Sequence, residues 1–399
     1  MKAFGRIAIV CLLVSLVVAC APKPTEAPAP TAAPALSAAE EWAKANELGP
    51  YQPATLDWAA IEAAAKEEGK VVVYAGSSRI EDEIELFQAR YPDIVLEGYD
   101  VDGIDVKMRE EQKAGNVVGD VWFNSDGHIL YGEFVPNQWL WPFVPDASVM
   151  PDVTATQPFA VARHGVDVIG YNSELHPEGC PVSNWWQMTE PEYKGRVFME
   201  DPIANVSTTA LMTVVTQHGD ELAAAYQKQY GKEWTTDPAY GDDTPNAGWL
   251  WIKKLAQNQP GIQPGGDEVV QAFATPGMTT DAGIGIAGYS KYRDTLKGEL
   301  VFDVCKGIEP VLGFFKSTYL AIATNAPHPN AAKLFIQYVL SDEGREPWNV
   351  IGDYPTLTGQ APAEGAIPLA DLRVWTFDDQ YNYQNVSQVR DFWALNLLQ

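Results

Sequence analysis

The chain has 399 residues, enough for about two domains of ordinary size, and 46% of them are hydrophobic. Asp and Glu outnumber Lys and Arg by 53 to 27, which gives a formal net charge of −26. Because phosphate backbones repel such a charge, we expect no nucleic-acid partner. The hydrophobic content also excludes a chain that is disordered throughout.

The first twenty residues have the pattern of an export signal. Lys2 and Arg6 form a basic start, and the apolar stretch 7–18 that follows is too short to span a bilayer well. The segment LVVAC, which ends at Cys20, resembles a bacterial lipobox. By that resemblance residues 1–19 are a cleaved signal peptide and Cys20 carries a lipid. The alternative is an ordinary signal peptide with an incidental cysteine.

Residues 20–55 are predicted to form a lipid-anchored tether rich in Pro and Ala. The stretch 21–37, APKPTEAPAPTAAPALS, has almost no large apolar side chains that could pack in a core. Its composition is typical of an extended spacer. We therefore predict an exported protein, anchored through its lipid to the outer face of the cytoplasmic membrane, at the cell surface or in the periplasm. Cys180 and Cys305 remain for a disulfide, which export permits but their spacing does not establish.

Residues 70–92, KVVVYAGSSRIEDEIELFQARYP, predict a strand, a short polar loop and a helix. The apolar run 71–74 is typical of a strand buried in a parallel sheet. Ile80, Ile84 and Phe87 then recur at helical spacing, with acidic residues in the first turn. The loop lies at the carboxyl end of a strand and the amino end of a helix, where backbone N–H groups can receive a ligand.

Ser77, Ser78 and Arg79 in this loop are candidate ligand-binding residues. Hydroxyl and guanidinium donors at a helix start suit carboxylate, phosphonate or phosphate oxygens. The alternative role of either serine is to cap the helix. Arg79 has the alternative of a surface side chain or of an ion pair with Glu83, one turn on.

Strands and helices alternate along the rest of the chain, which indicates an α/β fold with mostly parallel sheets. Further strands are predicted at 94–99, 119–123, 166–171, 194–199, 282–287 and 319–323, and helices at 57–68, 106–114, 210–217, 249–255, 269–274 and 331–340.

Three more predicted strand ends carry polar side chains. Each has a capping or turn alternative, and the tyrosine has the alternative of a partly buried strand-end residue. With the first loop they predict a ligand crevice outside the carboxyl ends of strands. The candidate residues are Asn124, Ser125 and Asp126, then Ser207 and Thr208, and then Tyr289.

Other patterns predict no metal site, cofactor or catalytic centre. The pattern G-x-G-x-x-G at 283–288 lies inside a predicted strand, whereas a dinucleotide-binding motif opens a helix. The five histidines are scattered without ligand spacing. The nucleophile-elbow motif G-x-S-x-G is absent from the sequence.

The order of these pieces resembles the bacterial extracellular solute-binding proteins of ABC importers, in the group that includes ferric-iron, polyamine, thiamine and phosphonate binders. The resemblance covers about residues 57–360. It is carried by GKVVVYAG, QARYPDI, GDVWFNSDG, GVDVIGYNSEL, EPEYKGRVFMEDP, AGIGIAGYSKY, YLAIATNAPHPNAAKLFIQYVLSDEGRE and GDYPT.

The resemblance implies a two-lobe, type II periplasmic-binding-protein-like fold with a ligand cleft between the lobes. A monomeric receptor would close about a hinge over a small-molecule solute and deliver it to an ABC permease in the cytoplasmic membrane. Crossovers between lobes are expected near 165–172 and 301–311. The expected lobes are 56–165 with 305–345 for lobe 1, and 166–304 with 346–399 for lobe 2.

The ligand set of the ferric-iron members is matched only in part. Those members place two tyrosines after the strand that matches AGIGIA, a histidine after the first strand and a carboxylate in the second loop. Here Tyr289 has no adjacent tyrosine, Ser77 or Ser78 replaces the histidine, and Asp126 is the carboxylate. Because ferric iron requires several anionic oxygen donors, a small oxygen-rich or anionic solute fits better. A ferric complex held with a bound anion, or a cation held by aromatic faces and Asp126, remains an alternative.

Two other functions compete with a transport receptor. An exported hydrolase or lyase on an α/β scaffold would require a nucleophile, a base and an orienting group, and no pattern in the sequence selects them. A sensory or interaction lipoprotein would keep the two-lobe fold without transport, because a fold does not determine a function.

Overall fold

A computed structural model of the chain describes residues 35–100, 103–235 and 244–398. The predicted signal peptide 1–19 and the predicted lipidation site Cys20 lie outside these ranges, as do residues 21–34 of the predicted tether. Among the described residues, no helix combines the length and the apolar character needed to cross a membrane.

The described residues alternate strands and helices, as the sequence predicts. The helices are α1 (Ala38–Ala45), α2 (Trp58–Glu68), α3 (Ile80–Arg90), α4 (Ile104–Ala114), α5 (Gly127–Ile129), α6 (Val206–Gln217), α7 (Gly219–Tyr230), α8 (Ala247–Gln257), α9 (Gly266–Ala274), α10 (Tyr292–Leu296), α11 (Pro329–Val339) and α12 (Asp379–Leu397). The strands are β1 (Lys70–Ala75), β2 (Val95–Asp100), β3 (Val121–Asn124), β4 (Leu140–Trp141), β5 (Ala160–Asn172), β6 (Val197–Glu200), β7 (Gly261–Gln263), β8 (Ile284–Gly288), β9 (Phe302–Val304), β10 (Gly313–Ala323), β11 (Asp353–Tyr354) and β12 (Val374–Thr376).

The strands of the described ranges form one mixed sheet, whose main path runs β2-β1-β3-β10-β5-β8-β6-β7. Strand β1 pairs in parallel with β2 and β3, and β6 pairs in parallel with β7 and β8. The pairs β3–β10, β10–β5 and β5–β8 are antiparallel. The expectation of parallel pairing therefore holds towards the two ends of the sheet, whereas two long antiparallel strands occupy its middle.

Two buried hydrophobic clusters divide this sheet into two lobes. The lobe-one core draws on residues within 43–161 and 319–348. The lobe-two core draws on residues within 166–314 and 351–393. The chain thus has the two-lobe α/β fold that the sequence predicts.

Strands β5 and β10 contribute to both cores, so they are the crossings between the lobes. Strand β5 buries Val161 in the lobe-one core and Val166 in the lobe-two core, and β10 buries Phe314 in lobe two and Leu320 in lobe one. The first crossing lies within β5, next to the predicted region. The return differs from the predicted 301–311, because Phe314 still belongs to the lobe-two core.

The predicted domain boundary at residue 305 differs from the structure for the same reason. Cys305, Ile308, Val311 and Leu312 pack in the lobe-two core. Strand β9 pairs with β5, and a disulfide joins Cys305 to Cys180. These links hold the segment on lobe two until β10 begins.

The predicted tether boundary at residue 55 lies too far along the chain. The side chain of Ser37 accepts a hydrogen bond from the Glu40 N–H, and Glu40 bonds back to the Ser37 N–H, so a capping box starts α1. Ala43 and Leu48 are fully buried in the lobe-one core. The segment therefore packs against the fold from about residue 38 onward.

The disulfide that the sequence left open is formed. Cys180 and Cys305 are 125 residues apart in sequence. Cys305 is fully buried in the lobe-two core, and Cys180 packs against that core. The bond therefore ties an irregular segment that follows β5 to the chain that leads into β10.

Replacing both cysteines by serine, C180S/C305S, should lower the free energy of unfolding by about 2–5 kcal/mol, because the disulfide restricts the unfolded chain. Urea unfolding of the oxidised wild type and the variant measures the difference. Wild type treated with a reductant is the control and should unfold at the variant's midpoint. Coincident midpoints for variant and oxidised wild type would contradict the prediction.

Candidate functional site

A narrow cavity lies on the lobe-one side of the crossing strands. The loops that follow β1 and β3 form one side of it, and the crossing strands β5 and β10 form another. We call it the cleft cavity. Its lining residues are Ala75, Gly76, Ser77, Phe123, Asn124, Ser125, Arg163, Thr318 and Trp348.

A buried ion cluster lies beside the cleft cavity. Nη2 of Arg79 is 2.7 Å from one oxygen of Asp353, and Nη1 of Arg163 is 2.8 Å from the other. Burial alone would raise the pKa of Asp353, but the two guanidinium groups bring it below its ordinary value of 3.8. Two cations and one carboxylate leave the cluster with one net positive charge.

The ring of Trp348 lies against both cations of the cluster. The guanidinium carbon of Arg79 is 4.9 Å from the ring centroid, and that of Arg163 is 5.3 Å away. Contacts at this distance are attractive because the face of an indole is electron-rich. Trp348 therefore holds the two arginines in place and also closes one wall of the cleft cavity.

Two buried donors of the cleft cavity have no hydrogen-bond partner among the described residues. They are Nε of Arg163 and the hydroxyl of Thr318. The two residues are cross-strand partners in the β5–β10 register. A buried donor without a partner costs about 1–3 kcal/mol, and an oxygen-bearing solute would satisfy both.

Asp126 connects the two lobes directly. One carboxylate oxygen accepts a hydrogen bond from the amide of Asn124 at 2.8 Å, and the other accepts one from the hydroxyl of Ser207 at 2.6 Å. Asn124 ends β3 in lobe one, whereas Ser207 lies in the first turn of α6, which packs in lobe two. The two lobes are thus in direct contact at this junction.

A second cavity lies on β10 beside the start of α12. The ammonium group of Lys316 is 2.7 Å from Asp167, and this carboxylate overcomes the effect of burial and raises the pKa of Lys316. The carboxylate of Asp379 accepts a hydrogen bond from the Tyr319 hydroxyl at 3.0 Å, and burial raises the pKa of Asp379 to about 7. The cavity is lined by Ser125, Phe315, Lys316, Ser317, Tyr319, Thr376, Phe377 and Asp379.

The first loop is arranged around Arg79 rather than around a serine cap. Helix α3 has Arg79 at its N-cap position and no side-chain cap, so neither Ser77 nor Ser78 has that role. Ser77 lines the cleft cavity, whereas Ser78 is exposed. Arg79 pairs with Asp353 and not with Glu83, which was its alternative partner.

Thr208 and Tyr289, the candidates from the third and fourth strand ends, are not among the residues that line either cavity. Asn205 caps α6 through its side chain, and the Thr208 hydroxyl donates to the same Asn205 oxygen at 3.2 Å. Tyr289 follows β8 and is 3% exposed, with its ring 5.8 Å from that of Tyr292. Its backbone lies against Gly352, the residue before Asp353. Ligand contacts by Thr208 and Tyr289 remain predictions.

Four residues of the site escaped sequence reasoning: Arg163, Thr318, Trp348 and Asp353. Arg163 offered a signal, because a charged residue in the middle of the apolar run 159–171 is unusual for a buried strand. Asp353 lies in the segment GDYPT, which indicated the family but no binding residue. No local pattern brings these residues together, since they meet through the crossing strands.

Residues 149–352, a little more than half of the chain, match the family model described as bacterial extracellular solute-binding protein. The chain belongs to this family. The prediction of a solute-binding receptor of the ABC-importer type is therefore confirmed. Such a protein is exported, binds a small-molecule solute and works with a permease. No curated protein sequence matches this solute-binding protein at a significant level.

Solved structures show the same fold at low sequence identity. Iron-bound HitA from Pseudomonas aeruginosa has 17% identity and a TM-score of 0.62, over 81% of this chain and 99% of the other. AfuA from Actinobacillus pleuropneumoniae, with fructose-6-phosphate bound, has 18% identity and a TM-score of 0.62, over 83% and 99%. AgtB from A. tumefaciens R10, in complex with agropinic acid, has 18% identity and a TM-score of 0.58, over 83% and 99%.

The ion cluster of this solute-binding protein should be essential to its stability. Asp353→Asn removes the carboxylate that separates two buried guanidinium groups, which should lower the free energy of unfolding by about 3–5 kcal/mol. Since the pKa of Asp353 in the folded protein lies below 3.8, the loss should be constant above about pH 5 and shrink only in stronger acid. Urea unfolding at several pH values measures it.

Glu97→Gln is the matched control, because the Glu97–Lys70 pair has both side chains 37% exposed. Its loss should cost less than about 1 kcal/mol. Equal effects of the two substitutions would show that the Asp353 cluster contributes no more than a surface ion pair.

Proposed function

We propose that this solute-binding protein captures a small anionic, oxygen-rich solute in the cleft cavity and delivers it to an ABC permease. The observation that carries the proposal is the net positive charge of the cluster formed by Arg79, Asp353 and Arg163. On a chain whose net charge is −26, a buried cationic cluster at the cavity is a specific place for an anion.

The hydrogen-bond donors of the cavity support the same class of solute. Nε of Arg163 and the hydroxyl of Thr318 are buried without partners among the described residues. Ser77 and Ser125 add hydroxyl groups to the lining. A carboxylate, phosphonate or phosphate group accepts several hydrogen bonds at once, and those from a guanidinium are strengthened by charge.

The neighbouring structures are consistent with this class. AfuA was solved with a sugar phosphate and AgtB with an acid. HitA was solved with iron, but the described residues of this chain contain no group of three His, Cys, Asp or Glu placed to hold a metal. A ferric complex that presents anionic ligands would fit the same cationic cluster.

Thermal-shift screening tests the solute class. Phosphate, sulfate, citrate, fructose-6-phosphate, polyamines and ferric citrate are added separately to the mature protein. We expect anions to raise the melting temperature, because a ligand that binds only the folded state stabilises it. Responses to amines alone would overturn the anionic class, and a flat response to every compound would favour the sensory or interaction lipoprotein.

Arg163→Gln tests the site itself. Loss of a charged hydrogen bond worth about 1.5–3 kcal/mol should weaken binding of the selected anion roughly tenfold to a hundredfold, measured by calorimetry. Arg196→Gln is the matched control, since Arg196 pairs with Asp281 in lobe two, outside the cavity lining. An unchanged dissociation constant in Arg163→Gln would remove the cleft cavity from the proposal.

We also propose that the protein is held at the membrane by a lipid on Cys20, as a monomer. The lipobox-like LVVAC and the Pro-rich stretch that follows support the anchor. A tethered receptor stays near its permease, and this gives the spacer a purpose.

Cys20→Ala should release the protein from membranes, because the lipid has no other attachment point in the lipobox. Fractionation of cells that express the wild type and the variant, with immunoblotting of membrane and soluble fractions, measures the change. Cys11→Ala, a substitution within the signal peptide, is the control and should leave the protein in the membrane fraction. Retention of the Cys20 variant would contradict the anchor.

A further inference from the structure

A buried carboxylate lies directly behind the wall of the cleft cavity. Glu83 in α3 is fully buried. One of its oxygens accepts a hydrogen bond from the indole N–H of Trp348 at 2.7 Å, and the other has no partner among the described residues. No ion pair joins Glu83 to a cation within the described ranges. The indole thus contacts both this carboxylate and the two guanidinium groups of the site.

We infer that Glu83 is a positioning residue that sets the charge of the anion site through Trp348. The inference rests on the proposed function of the cleft cavity. Protonated Glu83 is neutral and leaves the net positive charge of the ion cluster unopposed. Ionised Glu83 adds one negative charge close to the cluster and cancels it, so the site loses its attraction for an anion.

The surroundings of Glu83 set the pH at which its carboxyl group ionises. Burial raises the pKa of Glu83 to about 8, and the hydrogen bond from Trp348 opposes that shift only in part. The titratable groups that face it are otherwise acidic or neutral: Asp82 on α3, Glu346 in the turn before Trp348, and Tyr338 on α11. The nearest cation along α3, Arg79, contacts the Trp348 ring and is paired with Asp353.

The sign of the effect follows from the chemistry. Below about pH 8 the carboxyl group holds its proton and the site is cationic. As the pH rises through that value, Glu83 ionises and anion affinity falls. A unit charge separated from the two guanidinium groups by one indole ring should weaken anion binding about fivefold to tenfold after screening.

Calorimetric titration with sulfate and with citrate, from about pH 6.5 to about pH 9.5, tests the inference. The charge of sulfate is constant over this range, whereas citrate loses its last carboxyl proton at the acidic end, so the sulfate titration decides the result. We expect the wild type to lose about fivefold to tenfold in affinity across it. Glu83→Gln, which stays neutral, should keep its affinity within about twofold.

Two further variants make the result decisive. Glu111→Gln is the control, because Glu111 also accepts a hydrogen bond from a buried aromatic, the Tyr74 hydroxyl, but lies outside the cavity lining. It should keep the wild-type pH profile. Trp348→Phe keeps a ring but loses the indole N–H that favours ionised Glu83, so its affinity should fall at a higher pH than in the wild type.

The outcomes separate this inference from the proposed function. Anion binding whose pH profile is the same in the wild type and Glu83→Gln overturns the role of Glu83 and leaves the receptor intact. A wild-type profile that is flat does the same. Failure of the wild type to bind either anion at any pH overturns the anionic class, and the inference falls with it.

Discussion

The antiparallel pairing of β5 with β10 is the constraint on which the rest of the structure depends. Both strands pass from one hydrophobic core into the other. Their register sets Arg163 opposite Thr318 at the crossing point. The two donors of the cleft cavity that lack a partner among the described residues therefore lie side by side. The same crossing brings the loops after β1 and β3 up to the lobe-two side of the junction, where Asp126 meets Ser207.

Electrostatics follows from that geometry. A crossing strand cannot bury a lone guanidinium without a counter-charge, and Asp353 on β11, which pairs with β5, supplies it. Arg79 from the first loop then shares the same carboxylate. The cluster therefore joins the amino end of α3, a crossing strand and the segment after α11. The cluster has one more cation than anion, so the site is suited to an anion. Trp348 contacts both the cluster and Glu83.

Elements with strong local signals were predictable. The run 71–74 and the helical spacing of Ile80, Ile84 and Phe87 indicated β1 and α3, and the structure has both. Local patterns failed where tertiary contacts decided the outcome. The alanine-rich start of the folded chain looked like a tether, although its Ser37–Glu40 capping box was readable. The lobe boundary near residue 305 was missed because a disulfide and β9 hold that segment on lobe two.

The sequence by itself determined the fold class and the positions of the first and second loops at strand ends, because strand ends, turn residues and hydrophobic periodicity are local properties. The order of its motifs indicated the family. The tertiary structure alone decided which charges meet. Arg79, Arg163 and Asp353 are up to 274 positions apart in sequence, and nothing in their local surroundings predicts one shared carboxylate. Buried ion pairs depend on how distant strands and loops pack together, and packing is a property of the whole chain.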